Sequence, residues 1–314
     1  MPNSTALDPS KTILICTPPY RNSSAGIVVL HELCDSLVRL GYVAHIILMG
    51  AYNSGWEFHL TEDPKSFNSD LLKVVVPPDL GEKWVMEVLD KGITIYPEII
   101  IGNPLNARHV VRYFLNGDGV IVGKKSEYQP GDFFLAYSKV FFEKPHAILT
   151  KPIKSPLFNE VNAKPSHERG LNLTYFGKGT KYASCFRIEG SIVLPPEWPK
   201  SKSELALLLQ NTQYLYSWDN VSSVNIDAIY CGAKVVLMQF IQADEEKLKQ
   251  GEFGPIPFFK GYFEGSSIKL LDNPNYEETR NRFMQNLNNY EMEWMSNVNL
   301  AIRSIFNHFG LPQN

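Results

Sequence analysis

Between residues 214 and 237 the sequence reads YLYSWDNVSSVNIDAIYCGAKVVL, and this segment concentrates side chains able to do chemistry. Asp219 stands where an apolar run ends, and a helix is expected to start about three residues later, at Ser222. Asp227 follows eight positions after Asp219, on that helix. In an open parallel sheet ligands bind beyond the carboxyl ends of the strands, which would turn Asp219 toward a cleft. Ser222 and Ser223 at the helix start offer N–H groups and a positive dipole end to an anion such as a diphosphate. A carboxylate at Asp227, on the exposed helix face, can accept the paired hydroxyls of a ribose, and there it should contribute little to stability. The plainer reading makes Ser222 an N-cap and the two aspartates solvated surface charges.

A second segment, NLTYFGKGTKY, places glycines and lysines after another short apolar run. Gly177 and Gly179 permit close backbone approach to a ligand, and Lys178 or Lys181 could neutralise phosphate charge. The alternative is a tight turn with a solvated lysine.

The elements that must position these residues follow from apolar periodicity. TILIC, residues 12–16, is a run of the buried parallel-strand kind, stopped by Pro18 and Pro19. Val29, Leu30, Leu33, Leu37 and Leu40 recur at helical spacing, Gly41 caps that helix, and YVAHIILM follows as a second buried strand. This βαβ unit sets the class as α/β. LLKVVVP is expected as a strand, Glu82 to Lys91 as a helix, ITIYPEIII as one strand or two, and Leu105 to Leu115 as a helix. Short strands are expected near Val120, Phe133 and Ala147. His31, beside the core-facing Leu30, is expected to be partly packed.

The stretch KPIKSPLFNEVNAKPSHERG, residues 151–170, breaks the rhythm with three prolines and mixed charge, and the interdomain linker is placed inside it. The expected domains are residues 1–160 and 161–314. Beyond the linker come strands at LTYF, SIVLPP, QYLYSW and KVVLM, with helices at Glu204 to Gln210 and Ser222 to Tyr230. The region 242–265 reads as aromatic loop, and FGPIPFFKGYF as a loop packed between domains or a surface for stacking on a base or sugar. From Tyr276 onward Trp294, Met295, Val298, Ile302 and Ile305 form the stripe of a long helix. Two doubly wound units in succession imply two Rossmann-like domains facing each other across a cleft, with the last helix packing back on the first.

The Asp219–Asp227 segment resembles the donor-binding region of glycosyltransferases with two Rossmann-like domains, the GT-B fold. A retaining subgroup of these carries two glutamates separated by seven residues, followed by Ala, then Cys-Gly and an apolar strand. Here Asp227 is followed by Ala228, Cys231, Gly232 and KVVLM, but both acids are Asp, each a methylene shorter. The resemblance implies that Asp227 holds the ribose and that Asp219 approaches the donor sugar as a catalytic residue. It places Asn220, Ser222 and Ser223 with the donor-binding residues. NLTYFGKGTKY resembles the first strand and loop of the family's C-terminal domain, where Gly177, Lys178, Gly179 and Lys181 would meet the donor phosphates. SSAGIVVLHELCDSLVRLGYVAHII resembles the first glycine-containing loop and helix, so Gly26 would let that loop close over donor or acceptor; a helix-start turn is the alternative. NPLNARHVVRYFLNGDG, residues 103–119, resembles a stretch in bacterial polysaccharide-type members. There His109, with Arg108 and Arg112 nearby, would sit on a cleft-facing helix and His109 would bond the transferred sugar. Asp118 is an acceptor-side base or a turn aspartate.

The resemblance implies a metal-independent transferase with no cofactor beyond its nucleotide diphosphate sugar. The acceptor would be a saccharide, lipid-linked in one version, which would bring a cytoplasmic enzyme to the inner membrane face. A sugar-nucleotide epimerase of the same fold and a binding subunit without catalysis are the alternatives. With a formal net charge of −3 over 314 residues, nucleic acid is not expected as a partner. Four dispersed cysteines, Cys16, Cys34, Cys185 and Cys231, fit a reduced compartment, and the first ten residues contain no secretory signal. G-x-S-x-G, H-E-x-x-H and Walker A motifs are absent, and no G-x-G-x-x-G follows the first strand, which argues against a nicotinamide dehydrogenase.

Overall fold

The computed structural model describes residues 8–52, 55–60, 66–68, 71, 76, 80–153, 155–180, 188–195, 199, 201–240 and 243–313. The chain divides into two compact units, Met1–Lys151 with Glu291–Asn314, and Pro152–Tyr290.

The first unit opens with β1 (Thr12–Thr17), α1 (Ala25–Arg39), β2 (Val43–Tyr52) and β3 (Gly55–His59). It continues with α2 (Gly81–Lys91), β4 (Ile93–Pro97), β5 (Val110–Phe114), β6 (Phe133–Ala136) and β7 (Ala147–Ile148). Among the described residues these strands form one sheet in the order β3-β2-β1-β4-β5-β6-β7, parallel except for β3. All six residues of β1 are buried, as a central parallel strand covered on both faces requires. Helix α1 ends in a Schellman closure: Tyr42 N–H donates to the Leu37 carbonyl and Gly41 N–H to that of Val38, with Gly41 at φ +86°.

The second unit holds β8 (Leu171–Tyr175), β9 (Ser191–Leu194), α3 (Lys202–Gln210), β10 (Thr212–Ser217), α4 (Ser223–Tyr230), β11 (Lys234–Leu237), α5 (Glu245–Lys249), β12 (Phe259–Glu264) and β13 (Ser267–Leu270). Its sheet runs β9-β8-β10-β11-β12-β13 and is parallel except for β13. The α/β class and the two Rossmann-like sheets expected from the sequence are therefore present.

The closing helix, α6 (Tyr276–Phe309), begins in the second unit, and its residues from Glu291 belong to the first. Within the first unit Trp294 Nε1 donates to Ser36 Oγ (2.8 Å), Tyr42 Oη to Asn299 Oδ1 (2.7 Å), and Lys151 Nζ pairs with Glu291 (2.7 Å). Trp294, Val298, Ile302 and Ile305 are buried along the stripe expected of them.

Several elements differ from expectation. Leu105 to Leu115 is not a helix: Val110–Phe114 is the buried strand β5, between β4 and β6. Its β-branched and aromatic residues are buried on both faces, so no alternation marks it as a strand. Arg112 sits in that strand 1% exposed because each of its three guanidinium nitrogens has a partner, Asp132 Oδ2 (3.1 Å) and the carbonyls of Ile100 (3.2 Å) and Gly102 (2.6 Å). Near Val120 there is a turn instead of a strand, closed by Val120 N–H to Gly117 and Gly123 N–H to Gly119. The aromatic region after residue 253 contains a hairpin, β12 and β13, whose alternating exposure marks an edge of the sheet. ITIYPEIII contributes one strand, β4. The strand expected at LLKVVVP lies largely outside the described residues. His31 is buried outright instead of partly packed; burial lowers its imidazole to about 4, against a raising contact with the Pro18 carbonyl.

Candidate functional site

In the second unit the chain leaves β8 for β9 on one side and returns to β10 on the other, so the topological switch point lies between β8 and β10. That is where an open parallel sheet leaves a crevice beyond its strand ends. The loop after β8 carries Gly177, Lys178 and Gly179; the loop after β10 carries Trp218, Asp219 and Asn220 and leads into α4. The two segments singled out in the sequence thus meet at one place in the fold.

Residues Gly177–Gly179 form a 3-10 turn locked against Asp219. Asp219 is 2% exposed, and its Oδ2 accepts the Lys178 backbone N–H (3.0 Å) and lies 3.6 Å from Lys178 Nζ. Gly179 N–H donates to the Phe176 carbonyl and Thr180 N–H to that of Gly177. The amides of Lys178, Gly179 and Thr180 are thus engaged, and the charge the turn offers an anion is the Lys178 side chain. The glycines also allow the close packing of the two loops. Gly177 has φ +48°, and a Cβ there would lie 2.5 Å from Asp219 Oδ2; one at Gly179 would lie 2.5 Å from the Trp218 carbonyl oxygen.

This yields a contrast between two glycines. Gly179→Ala forces a buried backbone to move and is expected to cost about 1–3 kcal/mol. A Cβ at Gly26 meets only Leu115, at 3.6 Å, and Gly26 lies in the first turn of α1, so Gly26→Ala is expected to be neutral or stabilising by up to ~1 kcal/mol. Urea unfolding of both variants checks this; equal losses would contradict it.

Ser222 is the N-cap of α4, with Oγ accepting from Val224 N–H (3.3 Å) and donating to Tyr175 Oη (3.2 Å). Ser223 is the first helical residue and is partly exposed. Asn220 is buried and ties the loop to the Ala243 carbonyl through Nδ2. Asn225, buried in the first turn of α4, donates to the Asp219 carbonyl (2.8 Å), while its Oδ1 has no partner among the described residues.

Asp227 departs from expectation. It is partly buried instead of exposed, and burial pushes its carboxyl up to about 7, against the lowering charge of Lys202. Its carboxylate accepts no hydrogen bond from the described residues. The sequence reading missed Tyr175, the last residue of β8. Burial first, and the charges of Asp219 and Asp227 after it, hold its hydroxyl above the usual range, while the Ser222 bond works the other way. Its position directly before the Phe-Gly-Lys-Gly turn was the available signal.

Lys181 lies outside the described residues, as does Cys185; Cys16, Cys34 and Cys231 are buried. His109 is at the amino-terminal end of β5, not on a helix. Its Nδ1 is 3.0 Å from the Gly92 carbonyl and its ring lies 5.2 Å from that of Phe309. Arg108 is exposed near Asp90 and Arg112 is buried, so the three do not converge. Asp118 accepts from Ser126 N–H (2.7 Å), a turn role. Among the described residues no helix is long and apolar enough to cross a membrane.

No protein-family model matches the sequence. No curated protein matches it either. Among solved structures the chain is similar to an alpha-glucosyltransferase in complex with UDP and a 13-mer DNA containing a HMU base. There the identity is 10%, over 95% of this chain and 99% of that one, with a TM-score of 0.44. It is also similar to an alpha-glucosyltransferase in complex with UDP, at 10% identity over 95% of this chain and 96% of that one, with a TM-score of 0.40. A third is the glycosyltransferase SnogD from Streptomyces nogalater, at 11% identity over 93% and 99% of the two chains, with a TM-score of 0.37. The DNA held by the first of these proteins overturns one expectation. A net charge of −3 does not exclude nucleic acid as a partner, because phosphate is met by local clusters of charge that a whole-chain sum averages away. The three solved structures named above, to which this two-unit α/β chain is similar, are of glycosyltransferases.

Proposed function

We propose that this protein is a glycosyltransferase that takes a sugar from a nucleotide diphosphate donor and passes it to a saccharide acceptor, with the donor held by the second unit. One observation carries the reading. At the switch point between β8 and β10 a lysine, a helix start and, about one turn along that helix, a carboxylate with no hydrogen bond from the described residues occur together. Lys178 and the amino end of α4 supply positive charge for a diphosphate, and Asp227 supplies an acceptor for the ribose hydroxyls.

In the reaction the bond between the sugar C1 and the diphosphate oxygen breaks, and a bond from an acceptor hydroxyl to C1 forms. The acceptor proton passes to solvent or to a base, and the diphosphate leaves with the bonding pair. Lys178 and the helix start stabilise that developing charge, the task a metal ion performs in other transferases, so the reaction is proposed to need none. Retention of configuration rests on the resemblance at Asp219 and Asp227. A role in polysaccharide synthesis rests on the resemblance at residues 103–119. The anomeric form of the product checks the first and an acceptor panel the second.

The test is a thermal-shift screen of the full chain against nucleoside diphosphates. A ligand at about 100 times its Kd stabilises by about 2.7 kcal/mol, enough to read plainly. Lys178→Ala is expected to weaken nucleoside diphosphate binding by roughly tenfold or more and to leave nucleoside binding unchanged, since it removes a charged partner of phosphate only. No shift with any nucleoside diphosphate, or equal losses for both ligands in the variant, would overturn the reading.

A further inference from the structure

The residue that the resemblance places beside the donor sugar is built into the fold in a different way. Asp219 is buried, while the Lys178 side chain beside it is about a third exposed (32%). Every backbone group of Asp219 for which a partner is seen faces inward. Its carbonyl accepts from Ser217 Oγ (3.1 Å), Asn225 Nδ2 (2.8 Å) and Ser222 N–H (3.3 Å), and its N–H donates to Ser217 Oγ (3.3 Å). Its Oδ2 takes both the amide and the ammonium of Lys178. The Gly177 Cα sits so close that no Cβ fits beside this oxygen.

We infer that Asp219 is a positioning residue for the diphosphate-binding lysine: it holds the Gly177–Gly179 turn through the Lys178 amide and keeps the Lys178 ammonium until a diphosphate draws it away. The inference rests on the nucleotide diphosphate reading for its second half; the first half stands without any ligand. The two bonds differ in kind. The amide bond needs only an acceptor oxygen, and the ammonium contact needs the negative charge. A diphosphate, carrying more charge than one carboxylate, takes over the exposed ammonium and leaves the amide bond in place. The departure from glutamate acquires a reason. From the end of β10 the aspartate reaches the amide of the neighbouring loop at 3.0 Å, and one more methylene would overrun it.

Two variants of the full chain separate the roles. Asp219→Asn keeps an acceptor for the Lys178 amide and discards the charge; Asp219→Ala discards both. The readouts are hydrogen exchange at the Lys178 amide without ligand, and calorimetric binding of inorganic pyrophosphate. In Asp219→Asn, slow exchange is expected to persist, and pyrophosphate is expected to bind about threefold to tenfold tighter, because the competing carboxylate is gone. In Asp219→Ala, exchange at Lys178 is expected to accelerate by tenfold or more, since the amide loses its partner. A purely structural aspartate gives no gain in affinity in the Asn variant, and that result overturns the inference, as does unchanged exchange in the Ala variant. If Asp219→Ala does not fold, the Asn variant decides by its affinity. If wild type binds neither pyrophosphate nor any nucleoside diphosphate, the functional reading falls, and exchange at Lys178 still decides whether Asp219 holds the turn.

Discussion

Asp227→Asn is expected to stabilise the protein above pH 7 and, in the same sample, to weaken its hold on a nucleotide by roughly tenfold to a hundredfold. The stability half follows from linkage. Burial raises the folded carboxyl from 3.8 to about 7, so between about pH 4 and 7 the folded state binds more protons than the unfolded state. Stability that the protonated acid allows is therefore lost as pH rises through that window. Asparagine has no charge to desolvate, so the variant should match wild type near pH 4 and exceed it at pH 8. Partial exposure discounts the effect to on the order of 1–2 kcal/mol, a few degrees in Tm. The binding half has the opposite sign. Ribose hydroxyls donate to the ionised acid, so wild-type affinity for a nucleoside, which carries no phosphate that titrates in this range, should rise from pH 5.5 to 8, and that of the variant should stay flat. A 2′,3′-dideoxy nucleotide should bind both proteins alike. If the variant discriminates the dideoxy ligand as strongly as wild type does, Asp227 is not the ribose acceptor.

Arg112→Ala is expected to cost about 3–5 kcal/mol, the largest loss among the substitutions considered. Arg112 lies within the buried strand β5 and over the Tyr96 ring, 5.1 Å from its centroid. It joins Asp132, at the start of β6, to the carbonyls of Ile100 and Gly102 in the segment after β4. Alanine leaves the Asp132 carboxylate buried with, among the described residues, the Gln129 N–H (3.2 Å) alone, and removes the Arg112 donor from two carbonyls. Replacing both partners with apolar residues of similar size, Arg112→Met with Asp132→Leu, should recover much of the loss, because no buried charge is then stranded. Urea unfolding of the single and double variants checks both statements. A single-variant cost below about 1 kcal/mol would show that water reaches the pair and that the burial argument fails.

The sequence by itself determined the α/β class, most strands and helices of both units, and the two loops that meet at the switch point. These features rest on short-range physics. Buried parallel strands need continuous apolar runs, as in TILIC and KVVLM, α1 needs its apolar stripe and Gly41, and α4 needs Ser222 as its cap. β5 escaped the same reasoning because a run buried on both faces has neither period, and a central arginine argues against a strand until its partners are known. Those partners, Asp132 and two carbonyls, come from other loops. The hairpin after residue 258 was hidden by aromatic and glycine residues that read equally well as loop.

What the site residues do was decided by tertiary structure. The sequence places Asp219 and Asp227 eight positions apart, but it contains nothing about the environment of either carboxylate. Only the packing of the β8 loop against the β10 loop brings the Lys178 amide and ammonium onto Asp219, and only the folded chain buries Asp227, which takes no hydrogen bond from the described residues. A carboxylate's charge, partners and accessibility depend on groups distant in the chain, 41 positions apart for Asp219 and Lys178, and no local pattern encodes them.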